Sequence, residues 1–523
     1  MTAPSGASKE AARARVPAGD RRAVLALARF EGLRLLRHPL VLTAFALCVV
    51  WMARPGATTW RSHPPLQDMD RDHQLPLVLV GFAVLIAVNL AATRARRHGT
   101  DAILDALVLP PWQRTVAHLL SLLPLWLVGA VMVAAQFGWM ATRPEAVGRG
   151  DIAELATGPT SVLLLGVVGV LLARLTASAV VAPLTVLALL TSMFVLAAGD
   201  SGVAWLYPTV HQSPSGVPTD LLDRPAGWHL LYLLGMTTLL GAVATAVAGG
   251  RRRTARGTAV AALTCVLAGA LFQSAWPSGA LARERQQATE RPAEVQRCQR
   301  LGTTEYCLFP EFGVWVDDWD RVVREVRALT PKDVAASPIT VRQRVNAVDA
   351  GSTGSDGAIP FATPSEGPTG SAWSVPVGTL WGSGTEDLAL AAATAYRLVT
   401  GEAPQPGTPV MCDSRGVLTL WLAVRATSEA DLNSLLDGQF SGGGVPISLL
   451  GEAQLDAGWV VLREHELAVV QALLDRPRGD VDRRVREEWS ALTAPGTSSL
   501  RAAELLGVTA PAVTGDDGEW NCR

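Results

Sequence analysis

Up to about Pro277 the chain is a succession of long apolar spans, and no other feature narrows its folding options so far. Segments of that length and apolarity belong in the hydrocarbon of a bilayer, where a helix can satisfy its own backbone. Seven spans can be read, roughly 38–53, 75–93, 116–139, 159–175, 177–198, 228–249 and 257–276, the first and fourth being the shortest. A mean hydropathy of +0.25 over the whole length is high for a chain whose second half reads as soluble. The expected fold is an α-helical polytopic membrane bundle of about seven spans over 38–277. A basic arm, 1–37, precedes it, and a mixed α/β, helix-rich extracytoplasmic domain, 278–523, follows.

The net charge of −2 averages over two unlike halves; the distribution of arginine is what informs. Arg13, Arg15, Arg21, Arg22, Arg29, Arg34 and Arg37 precede the first span. Arg94, Arg96, Arg97 and Arg114 flank the loop after the second, and Arg251, Arg252, Arg253 and Arg256 separate the last two. With seven spans all three clusters fall on one side, which by the positive-inside rule is the cytoplasm. The N-terminus is then in the cytoplasm and everything after Pro277 outside. Trp51, Trp139, Trp228 and Trp276 mark the outer ends and Trp112 an inner one, an interfacial belt. Residues 159–198 form a nearly unbroken apolar run with Arg174 as its one charge, read as a hairpin turning on the inside. A cleaved signal peptide is not expected at the first span, because 37 residues precede it and Ala53-Arg54-Pro55 is a poor cleavage site.

Between the second and third spans lies a charged island, RARRHGTDAILDALVLPPWQRTVAH, Arg94 to His118. Thr100 can cap a helix, Asp101 suits its first turn, and Pro110-Pro111 stops it. Ile103, Leu104, Leu107 and Val108 share one face, with Asp101 and Asp105 beside it. A helix so short does not hold itself together, so the apolar face is expected to dock on a cytoplasmic partner. The bilayer surface or the chain's own bundle are the other possible seats. Ahead of the first span, residues 20–37 set Val24, Leu25, Leu27, Ala28, Leu35 and Leu36 against Arg22, Arg29, Arg34 and Arg37. Glu31 interrupts the apolar half. This reads as an amphipathic helix in the headgroup layer. Within the spans the notable polar groups are Asn89, Gln136 and His118, the first two expected to hydrogen-bond between helices. Ion-coupled carriers place acids or bases at depth, which weakens that class here.

In the tail, Trp319, Val322, Val323, Val326 and Leu329 fall at core spacing on a helix that Pro331 ends. Thr385 opens a helix closed by Gly401, Ser428 and Asp431 fit a capping box, and Asp480–Leu492 and Ser498–Leu506 read as helical. Val417–Val424, VLTLWLAV, is the best strand candidate, and Ala350–Ala372 reads as a linker. Cys298, Cys307, Cys412 and Cys522 lie in the tail, whereas Cys48 and Cys265 are within spans. Three disulfide pairings are possible, and proximity favours Cys298 with Cys307, leaving Cys412 for Cys522. With no CxxC and His465 alone in the tail, no metal site is expected.

The arginine-rich arm, a first span opening RHPLVL and the loop GTDAILDALVLPPWQRTVAHLL resemble, over about residues 20–250, the membrane subunits of bacterial ABC-type exporters of the type-2 class. The resemblance implies that the short loop helix is a coupling helix seated in a groove of a separate ATPase subunit. Contacts then fall to Ile103, Leu104, Leu107 and Val108, with Asp101 and Asp105 beside them. It also implies a homodimer or a pair with a sister permease. The family has six spans, so the seventh and the large tail depart from its plan. The chain itself is not expected to be an enzyme or to hold a cofactor: Lys9 in GASKE and Lys332 in TPKDV lack a P-loop setting, Glu464-His465-Glu466 lacks the second histidine of HExxH, and no GxSxG occurs. Asp68, Asp70 and Asp72 mimic the start of a calcium loop, but His73 and Leu79 break it. ATP would bind the partner; membrane lipids and an unidentified cargo complete the expected partners, and nucleic acid is not among them. The alternative function is a membrane-anchored sensor or binding protein acting through its outer domain.

Overall fold

A computed structural model describes residues 18–53, 62–99, 109–197, 206–209, 217–275, 278–345, 374–382, 385–402, 411, 413–427, 445–448, 459–462 and 464–509. They are mostly helical, with a small mixed sheet.

The first half comprises α1 (Ala18–Leu36), α2 (Pro39–Met52), α3 (Leu66–Met69), α4 (Gln74–Arg97), α5 (Pro111–Leu120), α6 (Leu123–Ala141), α7 (Ile152–Leu175), α8 (Val181–Ala197), α9 (Thr219–Leu222), α10 (Ala226–Val247) and α11 (Arg252–Ser274). Among the described residues, five helices are long and apolar enough to cross a membrane, or six if α1 and α2, which meet at 58°, count as one span. Pro39 causes that bend: its ring drives His38 into extended backbone, ψ 128°, and the helix restarts beyond it. Of the seven expected spans, α2 alone reaches about 21 Å and α8 about 26 Å, against roughly 30 Å of hydrocarbon. The apolar run 159–198 is two helices, broken at residues 176–180.

Small residues bring the helices together. A Cβ on Gly169 would lie 2.5 Å from the Leu85 carbonyl oxygen, so α7 and α4 pack backbone to backbone. Asn89, on the same contact, donates from Nδ2 to the Gly169 carbonyl at 3.2 Å, the interhelical bond expected of it. Gln136 does not follow suit; its Oε1 is buried with no hydrogen-bond partner among the described residues. The arm helix turns differently from the expected amphipathic face: Ala28, Glu31, Gly32 and Leu35 are buried, while Leu25 and Leu33 are exposed. Glu31, which interrupted the apolar half, sits on the face that meets the bundle.

The tail begins with α12 (Gly279–Glu290) and a hairpin of β1 (Arg297–Leu301) and β2 (Thr304–Leu308). α13 (Val316–Ala328) and α14 (Lys332–Ala335) then lead to β3 (Ile339–Gln343), with β4 (Ser374–Val377) beyond. The sheet order is β1-β2-β3-β4, the first pair antiparallel and the other two parallel. Cys298 faces Cys307 directly across the hairpin, Cα to Cα 4.0 Å, and the expected disulfide joins them. Cys412 and Cys522 lie outside the described residues, as do Ser428 and Asp431. Helix α15 (Thr385–Thr400) packs on β4, and α16 (Ser414–Ala426) packs on α15. A second hairpin of β5 (Val445–Ser448) and β6 (Trp459–Leu462) follows, then α17 (Glu464–Leu474), α18 (Arg478–Glu487), α19 (Trp489–Thr493) and α20 (Ser499–Leu506).

The expected strand Val417–Val424 is the centre of helix α16. All eight residues are buried, so no polar face exists to show a helical period, and Asp413 caps the helix by accepting from the Arg415 N–H. The tail helices expected within the described residues hold: Trp319, Val322, Val323 and Val326 are buried on α13, Gly401 ends α15 at φ +80°, and Ser498 caps α20. Trp315, Trp319, Trp381 and Trp421 anchor the tail core. That core continues into the bundle's loops, taking in Val147, Val217, Leu221 and Leu222.

Candidate functional site at the two polar ends of the bundle

One end of the bundle carries the arginines and the loop after α4. Asp101, Ile103, Leu104, Asp105, Leu107 and Val108 lie outside the described residues; the two ends of their loop do not. On the way in, Arg94 Nη1 pairs with Glu31 Oε1 of the arm at 3.5 Å, and Arg96 Nη1 donates to the Ala173 carbonyl of α7 at 3.1 Å. Glu31 is buried, so this pair is shielded from the screening that weakens exposed ion pairs. On the way out, Pro110 holds extended backbone, ψ 157°, and Pro111 opens α5 where a missing N–H costs nothing. α5 then packs on α1. There Gly32 allows the close approach, since a Cβ would fall 3.2 Å from the Ser121 carbonyl oxygen and 3.3 Å from Pro124 Cγ. His118 is buried within the field of Arg94, Arg114 and Arg174. The entrance to the loop, the end of α4, is thus tied to α1 and α7.

The opposite end holds a buried ionic centre that sequence reasoning passed over. Arg224, just before α10, reaches Asp70 at 3.2 Å and Glu154 at 3.4 Å through Nη1, and Asp68 at 3.5 Å through Nη2. Nη2 also donates to the Gln67 carbonyl at 2.6 Å, Gln74 Nε2 donates to Glu154 Oε2 at 2.7 Å, and the Asp151 N–H donates to Asp70 Oδ2 at 2.8 Å. All four charged side chains are buried, and burial makes the attraction large only because these hydrogen bonds repay desolvation. Although burial disfavours its charge, the Glu154, Asp70 and Asp68 carboxylates hold the Arg224 guanidinium above its ordinary value. Asp68 and Asp70, two of the three acids that mimic a calcium loop, are therefore spent on an arginine. The available signals were slight: Glu154 as an acid opening an apolar run, and Arg224 as a lone arginine beside an outer span.

From this centre the tail is one step away. Glu311 accepts from the Thr219 N–H at 2.9 Å and Oγ1 at 2.8 Å, at the start of α9. Burial raises the Glu311 carboxyl above its ordinary value, with the Thr219 hydrogen bonds acting against it. Arg285 of α12 donates to the Leu221 and Leu222 carbonyls at 2.7 and 2.8 Å. Trp315 Nε1 donates to the Glu145 carbonyl at 2.8 Å, and Asp318 pairs with His63 at 2.9 Å. Residues 311–318 thereby touch each of the three loops at this end. Among the described residues, no group of three or more His, Cys, Asp or Glu side chains is arranged to hold a metal ion. Comparison with family models, with characterised proteins and with solved structures gives no match.

Proposed function

We propose that this chain is the membrane-spanning subunit of an ATP-driven exporter of the ABC type, lying in a bacterial cell membrane with its N-terminus in the cytoplasm. A separate ATPase subunit binds and hydrolyses ATP, and its movement enters through the 94–115 loop by way of Asp101, Ile103, Leu104, Asp105, Leu107 and Val108. Two copies, or this chain with a sister permease, enclose the pathway, and the tail on the outer side recognises cargo or gates the opening. The observation that supports this reading most is the fastening of the loop's entrance to α1 and α7 through Glu31–Arg94 and Arg96–Ala173. A partner gripping the loop would thereby move the helices and not merely the loop.

The test is a mild-detergent pull-down of the tagged chain beside one carrying Leu104→Asp and Leu107→Asp. The expected result is a P-loop ATPase that co-purifies with the native chain and is lost from the variant. Absence of any ATPase from a variant and native chain that both insert and fold overturns the reading. A second reading, a membrane-anchored sensor or binding protein, draws support from the tail's grip on all three outer loops through residues 311–318. On that reading the co-purifying partner engages the tail, and the loop substitutions leave it bound.

A further inference from the structure

We propose that Ser62, His63 and Asp318 form a nucleophilic centre, able to cleave a small carboxylic ester, where the first outer loop meets the tail. Ser62 Oγ lies 2.7 Å from His63 Nδ1, and His63 Nε2 lies 2.9 Å from Asp318 Oδ2. One tautomer satisfies both: the hydroxyl donates to Nδ1 while Nε2–H donates to the carboxylate. Asp318 is steadied by Arg321, whose Nη2 stands 3.9 Å from Oδ1. A hydroxyl, an imidazole and a carboxylate in one hydrogen-bonded row is the arrangement that activates serine, because the imidazole takes the proton as Oγ bonds to carbon and the carboxylate stabilises the resulting cation. Here the two ring nitrogens exchange the roles they have in chymotrypsin-like proteases, which the chemistry permits since either nitrogen of a neutral imidazole can accept.

The surroundings suit a reacting group. Ser62 is exposed, the His63 side chain is 13% exposed, and Trp315 stands edge-on to the imidazole at 6.0 Å as a wall. Gly382 is held at φ +92°, and a Cβ there would fall 2.6 Å from Ser62 Oγ and 2.7 Å from His63 Nδ1, so only glycine leaves room for the pair. In the first step Oγ bonds to the ester carbon, its proton moves to Nδ1, and the alkoxide departs carrying that proton. In the second, water bonds to the same carbon and gives its proton to Nδ1, the Oγ–acyl bond breaks, and the proton returns to Oγ with release of the acid.

This centre is independent of the exporter reading, and its test does not touch the ATPase. The full chain in detergent is treated with an alkyl fluorophosphonate and the labelled residue identified by mass spectrometry, with 4-nitrophenyl butyrate hydrolysis followed in parallel. Label on Ser62, none in Ser62→Ala, and a fall of about 10²-fold or more in both rates for His63→Gln are expected. No label at Ser62 in the native chain, or equal rates with His63→Gln, overturns the proposal. Should His63→Gln fail to fold, Ser62→Cys supplies the reading. Its thiol must react with iodoacetamide at least about tenfold faster than a thiol placed at exposed Ala280, as a base-activated nucleophile does, and equal rates again overturn it.

Discussion

The bundle and the tail solve opposite problems with the same residues. Large apolar side chains that remain exposed crowd the helices before residue 275, Leu187, Phe194, Val260 and Leu271 among them, whereas among the described residues of the tail only Leu301, Val314 and Leu500 do so. In the tail, tryptophans that would suit an interface are buried instead, Trp315, Trp319, Trp381 and Trp421 being fully enclosed. The difference teaches where each half takes its stability. The tail gains from removing apolar area from water, at roughly 25 cal/mol per Å². The bundle has no such gain between helices in hydrocarbon, and relies on close backbone approach at Gly169 and on polar centres such as Arg224.

Breaking that comparison is direct. Trp319→Ala, which empties the middle of the tail core, is expected to cost about 3–5 kcal/mol, whereas Leu187→Ser on the apolar outside of α8 changes thermal stability in detergent by less than about 0.5 kcal/mol. Melting curves of both purified variants decide it; equal losses would mean that the exposed apolar surface of α8 is in fact covered. Arg224→Met comes next, at about 3 kcal/mol, because it strands three buried carboxylates. Unfolding at lower temperature together with faster proteolysis between residues 217 and 226 is the expected result, and a stabilised variant would refute the centre's structural role. The smallest effect concerns Glu311. Its folded-state value is raised above the ordinary 4.5, so its contribution is fully present below that pH and is lost as pH rises through the folded value. Glu311→Gln should flatten the loss of tail–bundle stability as pH rises through that window, read by hydrogen exchange at Thr219.

Much of this was legible in the chain. Helix ends followed from Gly401 and Ser498 because each acts on its own backbone, and the Cys298–Cys307 bridge followed because nine residues suffice for a hairpin. The helix at Val417–Val424 was not legible, since a segment buried on all sides has no pattern by which period can be told. The ionic centre escaped for another reason: Asp68 of α3, Glu154 in the first turn of α7 and Arg224 just before α10 are far apart in the chain, and only the topology brings them together. Ser62, His63 and Asp318 were hidden in the same way, the imidazole and its carboxylate lying 255 positions apart in the chain. The coupling-helix residues 101–108 were read from sequence and rest on that reading.

The grip of residues 311–318 on the loops also sets an order of manufacture. The tail follows the bundle in the chain, yet its core takes in Val147, Val217, Leu221 and Leu222 from the bundle's loops, and Trp315 reaches back 170 residues to the Glu145 carbonyl. A tail core completed by residues of the bundle's loops cannot reach its final packing until those loops are in place, so loss of bundle packing is expected to loosen the tail as well.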